Sequence, residues 1–250
     1  MSETLVVNEI YLSLQGESTL AGLPCVFVRL TACNLRCSYC DTAYAFTEGR
    51  KIAVSDVTQR VHELASGFDS TTQRLNDSTT QRLPLVELTG GEPLLQPNCL
   101  PLMKHLCDEG FTVLIETNGA HDISKIDPRV RIIMDLKCPS SGEESRNRWE
   151  NIQHLKSFDE VKFVIGTIED YEWSKRVLAE RELAAKSAVL FSWVAPLSEA
   201  QRDKSLKTPP PDHTPLTRRD LAERIIADKL PVRFQVQMHK VIWTPDARGV

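Results

Sequence analysis

The feature that most constrains this chain is one short loop with three cysteines, Cys33, Cys37 and Cys40, in a C-x3-C-x2-C pattern. This spacing places three thiolates on the same loop. A structural zinc site takes four protein ligands, and a 4Fe–4S cluster is usually held by four thiolates. Because the loop offers three thiolates and no adjacent fourth, the pattern favours a 4Fe–4S cluster in which one iron stays open for another molecule.

Other cysteine chemistries fit the sequence less well. The chain has 7 Cys in 250 residues, an odd count at a low density, which argues against the disulfide framework of a small secreted domain. A zinc site would need a fourth ligand, and the nearest histidine, His62, lies on a predicted helix. Cys138, in a polar loop, stays open as a fourth thiol near the site. The remaining cysteines are expected to be small buried residues: Cys25, Cys99 and Cys107.

The composition is typical of a soluble enzyme with a single domain over residues 1–250. With 41% hydrophobic and 26% charged residues, the chain can bury a full core. A net charge of −4 provides no basic surface for direct nucleic-acid binding, and no apolar run reaches the length of a membrane span. The first residues lack the features of a signal peptide. Reduced thiolates poised for a cluster then predict a cytoplasmic location.

Short β-rich runs alternate with helical patterns along most of the chain, which is typical of βα units and a parallel sheet. Strands are predicted at 25–30, 85–88, 112–116, 131–136, 160–165 and 188–194, with a last β-rich run at 230–238. Helices are predicted at 54–65, 100–107, 170–185 and 217–229.

Chemically distinctive residues follow four of these strands. The cysteine loop, Gly90-Gly91, Glu116–Gly119 and Asp135–Lys137 each lie at the C-terminal end of a predicted strand. In a parallel α/β barrel the active site lies at that end, because the βα loops converge there. The sequence therefore predicts an α/β fold, an open partial (β/α) barrel with a short N-terminal β extension.

Two stretches look like additions to this barrel. The units 69–75 and 77–83 are identical and are separated by Asn76. Because this polar segment has no core face, we expect a mobile surface insertion at 66–83. The second stretch, at 204–215, contains Pro209-Pro210-Pro211 and Pro215 and is expected to be an extended surface loop.

The cysteine pattern followed by Thr89-Gly90-Gly91-Glu92-Pro93 resembles the radical S-adenosylmethionine (SAM) superfamily, in which the open iron binds SAM. Gln15-Gly16-Glu17, Arg29 and Gln237-Met238-His239-Lys240 make the chain similar to one of its families, the 7-carboxy-7-deazaguanine synthases. The resemblance extends over nearly the whole chain. The duplicated insertion and the Pro-rich loop depart from the compact family pattern, but both lie outside the motifs.

The resemblance implies a chemistry, cofactors and partners. The reaction implied is a radical ring contraction of 6-carboxy-5,6,7,8-tetrahydropterin to 7-carboxy-7-deazaguanine and ammonia, a carbon–nitrogen lyase reaction in queuosine biosynthesis. The implied cofactors are a 4Fe–4S cluster, SAM and Mg²⁺. An electron donor such as flavodoxin or ferredoxin and a homodimer are also implied. The cofactor performs the demanding chemistry, while the protein positions the reactants.

Site residues follow from the same resemblance, and none is assigned as a catalytic acid or base, because the 5′-deoxyadenosyl radical abstracts the hydrogen. The cluster ligands implied are Cys33, Cys37 and Cys40, and the magnesium ligand is Thr42. The substrate contacts implied are Leu14, Gln15, Gly16, Glu17, Arg29, Thr89 and His239. The cofactor contacts implied are Tyr39, Cys40, Asp41, Gly90, Gly91, Glu92, Glu116, Asn118, Asp135 and Lys137.

Some of these residues also have a plain structural interpretation. The Gln15–Glu17 segment has the composition of a turn. Thr42 is a suitable N-cap for a short helix. His239, in a largely apolar segment, would alone be read as a core histidine.

Two other functions remain open at the level of sequence. A radical SAM activase that makes a glycyl radical on a partner protein shares the cysteine and Gly-Gly-Glu-Pro motifs, although Arg29 favours a small anionic substrate. An iron–sulfur electron carrier would need neither Gly90-Gly91 at a strand end nor a barrel of this size.

Overall fold

The computed structural model describes residues 3–68, 72–75, 79–244 and 247–250. Its strands are β1 Thr4–Leu14, β2 Pro24–Leu30, β3 Arg50–Ala53, β4 Thr72–Leu75, β5 Thr79–Arg82, β6 Leu85–Gly90, β7 Val113–Thr117, β8 Arg131–Leu136, β9 Glu160–Ile165, β10 Ala188–Trp193 and β11 Arg233–Gln235. Its α-helices are α1 Val54–Ala65, α2 Cys99–Asp108, α3 Ile168–Glu180, α4 Leu183–Lys186, α5 Arg218–Ala227 and α6 His239–Ile242.

Nine of the strands form one open mixed sheet in the order β11-β10-β9-β8-β7-β6-β2-β1-β3. The pairs from β2 to β11 are parallel. At the other edge, β1 runs antiparallel to β2, and β3 antiparallel to β1. The order leaves β3 and β11 at opposite edges, so the sheet does not close. This confirms the predicted open partial barrel with an N-terminal β extension.

The two faces of the parallel strands carry different residues because side chains alternate along a strand. On one face, residues such as Val28, Val86 and Ile115 join the main core, which also includes residues of α1, α2, α3 and α5. The opposite face carries a smaller apolar cluster near the strand starts, with Phe27 and Leu114 among its members. Along that same face the strands become polar toward their C-terminal ends. The C-terminal half of this face is therefore a polar surface next to the smaller apolar cluster.

Two of the described α-helices, α3 and α5, begin at capping boxes. The Thr167 hydroxyl accepts from the backbone N–H of Asp170 at the start of α3, and Thr217 does the same with Asp220 at the start of α5. A capping box satisfies two backbone N–H groups that a helix start otherwise leaves unpaired. The single helix predicted at 170–185 is wrong at its end, because the chain turns at Glu182, which has φ 50°, before α4 begins.

The β-rich run predicted at 230–238 is also shorter in the structure. Only β11 is a strand, and the segment then turns into α6. The backbone N–H of Met238 donates to the carbonyl oxygen of Gly16 at 3.2 Å, so the segment binds the N-terminal loop instead of extending the sheet. No helix among the described residues is long and apolar enough to cross a membrane.

The structure describes parts of both predicted additions. In the 66–83 insertion, β4 pairs with β5 in an antiparallel two-stranded sheet, although no strand was predicted there. Its predicted mobility concerns residues that lie partly outside the described ranges, including 69–71 and 76–78. The 204–215 loop has no helix or strand, but the N–H of Lys207 donates to the carbonyl oxygen of Arg36 at 2.9 Å. That bond joins the loop to the cysteine loop.

Candidate active site

A cavity of about 650 Å³ opens at the C-terminal ends of the parallel strands. It brings together the loop after β2, the ends of β6 to β8, the turn after β1 and the C-terminal segment. The residues expected at the site that line it are Leu14, Gln15, Gly16, Glu17, Arg29, Cys33, Cys37, Tyr39, Cys40, Asp41, Thr42, Thr89, Gly90, Gly91, Glu116, Asn118, Asp135, Lys137 and His239.

The cysteine loop presents three thiols to this cavity. Burial raises the pKa of Cys33, that of Cys37 to about 11 and that of Cys40 to about 12, so these groups are thiols until a metal displaces the protons. Among the described residues, no three His, Cys, Asp or Glu side chains form a group that could hold one metal ion. In a cubane cluster each thiolate binds a different iron, so the thiolates are further apart than the ligands of one zinc ion, and three of them leave one iron open. The donor set therefore fits a 4Fe–4S cluster.

The two glycines after β6 allow the strand end to pack on the cysteine loop. A Cβ at Gly90, which has φ 135°, would overlap the carbonyl oxygen of Leu30, and one at Gly91 would overlap that of Ala32. The N–H of Gly91 donates to Leu30 O at 3.1 Å. Because only glycine tolerates this approach, the Gly-Gly pair fixes the loop relative to the sheet.

Glu92, expected to contact a cofactor, does not line the cavity. Its side chain is fully buried, and its carboxylate accepts from the hydroxyl of Thr117 at 2.9 Å and from the backbone N–H groups of Leu94 at 3.0 Å and Asn118 at 2.8 Å. Asn118 in turn donates to Asn34 Oδ1 at 2.9 Å. The structure thus places Glu92 below the cavity, where it holds Asn118 against the cysteine loop.

Gln15 braces the turn after β1. Its Oε1 accepts from the backbone N–H groups of Glu17 at 2.6 Å and Ser18 at 3.0 Å, and its Nε2 donates to Oε2 of Glu87 at 2.8 Å. Gln15 is only 2% exposed. The segment therefore is a turn, as its composition indicates, and it also lines the cavity.

Glu17 receives donors from two distant segments. Nζ of Lys162 on β9 lies 3.1 Å from Oε2, and Nε2 of Gln237 lies 3.0 Å from Oε1. Nδ1 of His239 is 4.0 Å from Oε1, so His239 lies at the cavity and not in the core. Burial alone would raise the pKa of Glu17, but the charges of Lys162 and His239 lower it to about 2. Glu17 is thus a carboxylate across the physiological range.

Arg29 is paired, as expected for a buried arginine. Its Nε donates to Oε1 of Glu9 at 2.7 Å, and its Nη2 donates to the hydroxyl of Tyr11 at 2.7 Å. The guanidinium also lies 5.8 Å from the ring centre of Tyr11 and 5.9 Å from that of Tyr44. These contacts hold the guanidinium in one orientation on the cavity wall.

Thr42 does not act as a side-chain N-cap. It precedes the short 3-10 turn Ala43–Phe46, but its side chain makes no capping hydrogen bond. Its hydroxyl donates to Oδ1 of Asp41 at 2.8 Å. Oδ2 of Asp41 accepts from Lys240 and from Nε2 of Gln237, the latter at 3.1 Å. The Gln237–Lys240 segment therefore closes on the residue that follows the last cluster cysteine.

The cavity lining also includes an ion pair, Lys137 with Asp135, and two polar atoms without partners. Nζ of Lys137 lies 2.7 Å from Oδ2 of Asp135. In the described part of the chain, the other oxygen of Asp135 and the hydroxyl of Tyr39 are buried with no hydrogen-bond partner. Buried polar atoms normally have partners, so these two atoms are available to a bound cofactor.

Cys138, the candidate for a fourth thiol near the site, does not line the cavity. It is fully buried in the main core, and its Sγ lies 3.4 Å from the hydroxyl of Ser174 on α3. Cys25, Cys99 and Cys107 are buried as well. The cysteines that line the cavity are therefore the three of the cysteine loop.

Two cavity residues, Glu87 and Lys162, were missed from the sequence. Burial and then the charge of Glu116 raise the pKa of Glu87 to about 8. Nζ of Lys162 bonds both Glu17 and Oε1 of Glu116. The sequence contains a signal for both residues, because each is a charged residue between two apolar residues of a strand. Burial of a charge is costly unless the charge is paired, so such a residue is a candidate for a site.

Comparison with known proteins agrees with this geometry. Residues 28–140 match the model of the radical SAM superfamily. The chain is 42% identical to 7-carboxy-7-deazaguanine synthase of Koribacter versatilis, over 98% of this chain and 99% of that protein, and 38% identical to that of Chlorobaculum tepidum, over 98% and 97%. The crystal structure of QueE from Escherichia coli has the same fold, with a TM-score of 0.66 at 22% identity, over 94% of this chain and 95% of that one. The chain therefore belongs to the 7-carboxy-7-deazaguanine synthase family of radical SAM proteins.

Proposed function

We propose that this protein converts 6-carboxy-5,6,7,8-tetrahydropterin into 7-carboxy-7-deazaguanine and one molecule of ammonia, as a carbon–nitrogen lyase. One observation carries the proposal. Nε2 of Gln237 lies 3.0 Å from Glu17 and 3.1 Å from Asp41. A single side chain thus joins the turn expected to bind a pterin to the residue that follows Cys40.

Cofactor binding follows from the cavity lining. Cys33, Cys37 and Cys40 would hold a 4Fe–4S cluster, and the carbonyl oxygens after β6 are acceptors of the kind that the amino group of SAM requires. The Tyr39 hydroxyl and Asp135 lie at the wall where SAM would bind. When bound, the cluster and SAM supply the radical that abstracts hydrogen from the substrate. The protein positions the substrate and excludes water.

Charged and polar residues of the cavity wall would orient the substrate. Glu17 is an ionised acceptor for the amide and amine edge of a pterin. Arg29 uses Nε and Nη2 for Glu9 and Tyr11, and a guanidinium has five N–H donors, so it keeps donors for the substrate carboxylate. His239, 4.0 Å from Glu17, adds a polar contact next to the same edge.

Magnesium, the reductant, the oligomer and the location extend the proposal. We place Mg²⁺ at Thr42, where the hydroxyl lies beside the half-buried carboxylate of Asp41. A magnesium ion keeps several waters and accepts few protein ligands, so the substrate carboxylate would complete its shell. We further propose a flavodoxin or ferredoxin as electron donor, a homodimer and a cytoplasmic location. The location is supported by the cysteines, which are free in the structure, as is usual in a reducing compartment.

An anaerobic assay tests the reaction directly. Protein with a reconstituted cluster, given SAM, dithionite, Mg²⁺ and 6-carboxytetrahydropterin, should produce 7-carboxy-7-deazaguanine, identified by mass spectrometry. Formation of 5′-deoxyadenosine without that product would contradict the proposal. Family membership over nearly the whole chain favours this small-molecule reaction over glycyl-radical activation of a partner protein.

A further inference from the structure

Lys162 is a buried cation in the wall of the cavity, with a side chain that is 4% exposed. Its ammonium donates to Oε2 of Glu17 at 3.1 Å and to Oε1 of Glu116. Removing an ammonium from water is costly unless the charge is paired and hydrogen-bonded. Two carboxylates on two different segments supply that pairing, so Lys162 joins the turn after β1 to the end of β7.

The hydrogen bonds of Glu17 leave a defined set of acceptor positions. A carboxylate has about four lone-pair sites, two on each oxygen. Lys162 uses one site on Oε2, and Gln237 uses one site on Oε1. One site therefore remains on each oxygen. That pair of sites matches a ligand with two parallel N–H donors, which is the geometry of a bidentate contact.

A pterin presents two such donors on one edge, the ring N–H and the 2-amino group. We propose that Lys162 is a positioning residue that holds the Glu17 carboxylate in one orientation, so that Glu17 selects ligands with a 2-amino pyrimidine edge. This inference rests on the proposed function and extends it from the substrate to the basis of its recognition.

Glu87 is a carboxyl of this cavity that binds no cation directly among the described residues. It is buried, and it accepts a hydrogen bond from the side-chain amide of Gln15. A protonated carboxyl presents a donor where the pterin edge also presents donors, and therefore cannot accept from both. Lys162 donates a hydrogen bond to Glu17 at 3.1 Å, a direct contact with a cation that Glu87 does not have in the described part of the chain.

Ligand binding provides a readout that is independent of turnover. 6-Carboxypterin is a fluorescent probe with the 2-amino edge, whereas 6-carboxylumazine has a carbonyl oxygen in place of that amino group. The ratio of their dissociation constants, measured by fluorescence titration of the cluster-loaded protein with SAM, reports recognition of the edge. The wild type should prefer the pterin by about 30-fold, as expected for one charge-assisted hydrogen bond.

A double-mutant cycle separates positioning from general structure. Glu17→Gln and Lys162→Met should each reduce the preference to about 3-fold, and the double variant should reduce it no further, because Lys162 acts through Glu17. Lys162→Arg keeps the charge and should retain about 10-fold preference. Lys175→Met is the matched control, since Lys175 pairs with Asp228 at the surface, and it should equal the wild type. If Lys162→Met does not fold, Lys162→Gln replaces it in the cycle.

The contrary results are distinct. A Lys162→Met protein that keeps the wild-type preference, or losses that add in the double variant, would overturn the positioning role. A wild type that turns over the tetrahydropterin but does not distinguish the two probes would also overturn it, while leaving the proposed function intact. A wild type that makes no product contradicts the proposed function itself.

Discussion

Nε2 of Gln15 lies 2.8 Å from Oε2 of Glu87, although 72 positions separate the two residues in the chain. Because Oε1 of Gln15 accepts from the N–H groups of Glu17 and Ser18, the buried carboxyl of Glu87 fixes the turn through one amide. The orientation of the substrate-facing loop therefore depends on a residue in the middle of β6.

This arrangement predicts a pH dependence of stability. Burial and the charge of Glu116 raise the pKa of Glu87 from 4.5 to about 8, so the folded state keeps a proton that the unfolded chain loses above pH 4.5. The contribution of Glu87 to stability therefore falls as the pH rises toward 8. The glutamine in Glu87→Gln cannot ionise. Between pH 5 and 8 the free energy of unfolding should therefore decrease less for this variant than for the wild type, and the two decreases should differ by on the order of 3 kcal/mol. Urea unfolding measures this difference, and identical pH slopes would contradict it.

The cysteine loop predicts the metal content. Protein purified anaerobically should be brown, with about four irons per chain. Cys37→Ala should lose both the cluster and activity, because one iron loses its thiolate. Cys138→Ser is the control and should keep its iron, since Cys138 lies in the core and not at the cavity. Full activity with zinc and no iron would exclude the cluster.

The proposed magnesium site predicts a change in metal requirement. Thr42→Val removes the hydroxyl, so half-maximal activity should need roughly tenfold more Mg²⁺, while cluster content and SAM binding stay unchanged. Metal and substrate should bind as a linked pair. Thr47→Val, at an exposed threonine of the same loop, is the control. Superimposable magnesium curves for Thr42→Val and the wild type would remove Thr42 from the metal site.

Gly16 predicts a steric coupling with His239. A Cβ at position 16 would lie 2.8 Å from Nδ1 of His239, so Gly16→Ala should displace that ring. The KM for the pterin should rise by about tenfold, as expected for one lost hydrogen bond. In a His239→Ala background, the same change at Gly16 should have little further effect. Independent, additive effects would show that the two residues do not interact.

The duplicated segment predicts tolerance of deletion. Removal of one seven-residue unit from 69–83 should leave kcat and KM within about twofold of the wild type, because a surface loop adds little to the core or the site. Steady-state kinetics of the deletion variant provide the test. A large loss of activity would place the insertion at the active site or at a partner surface.

Local pattern was enough to predict most of the barrel. The helix predicted at 54–65 and the strands at 131–136 and 160–165 have the bounds of α1, β8 and β9, because apolar spacing over several residues determines which face is buried. The cysteine loop and Gly90-Gly91 lie together for the same reason, since parallel strands place their C-terminal ends on one side.

The remainder depends on contacts between distant segments. The run at 230–238 ends early because Met238 bonds Gly16, a pairing that no local pattern encodes. Lys162 lies within a predicted strand, and nothing in the local sequence indicates its partner. Its role follows from the fold, which brings β9 next to the turn that carries Glu17. Glu92 belongs to the superfamily motif, yet its hydrogen bonds place it below the cavity.

The antiparallel pairing of β4 with β5 sets Thr72 opposite Arg82, so the two ends of the paired segment lie next to each other. The first copy pairs with the second over four residue positions, so part of the backbone hydrogen bonding of the insertion is internal to it. Such a duplication can arise in a gene in one step without a compensating change elsewhere. The same property makes the segment that contains β4 and β5 a suitable position for inserting a reporter domain or an affinity tag.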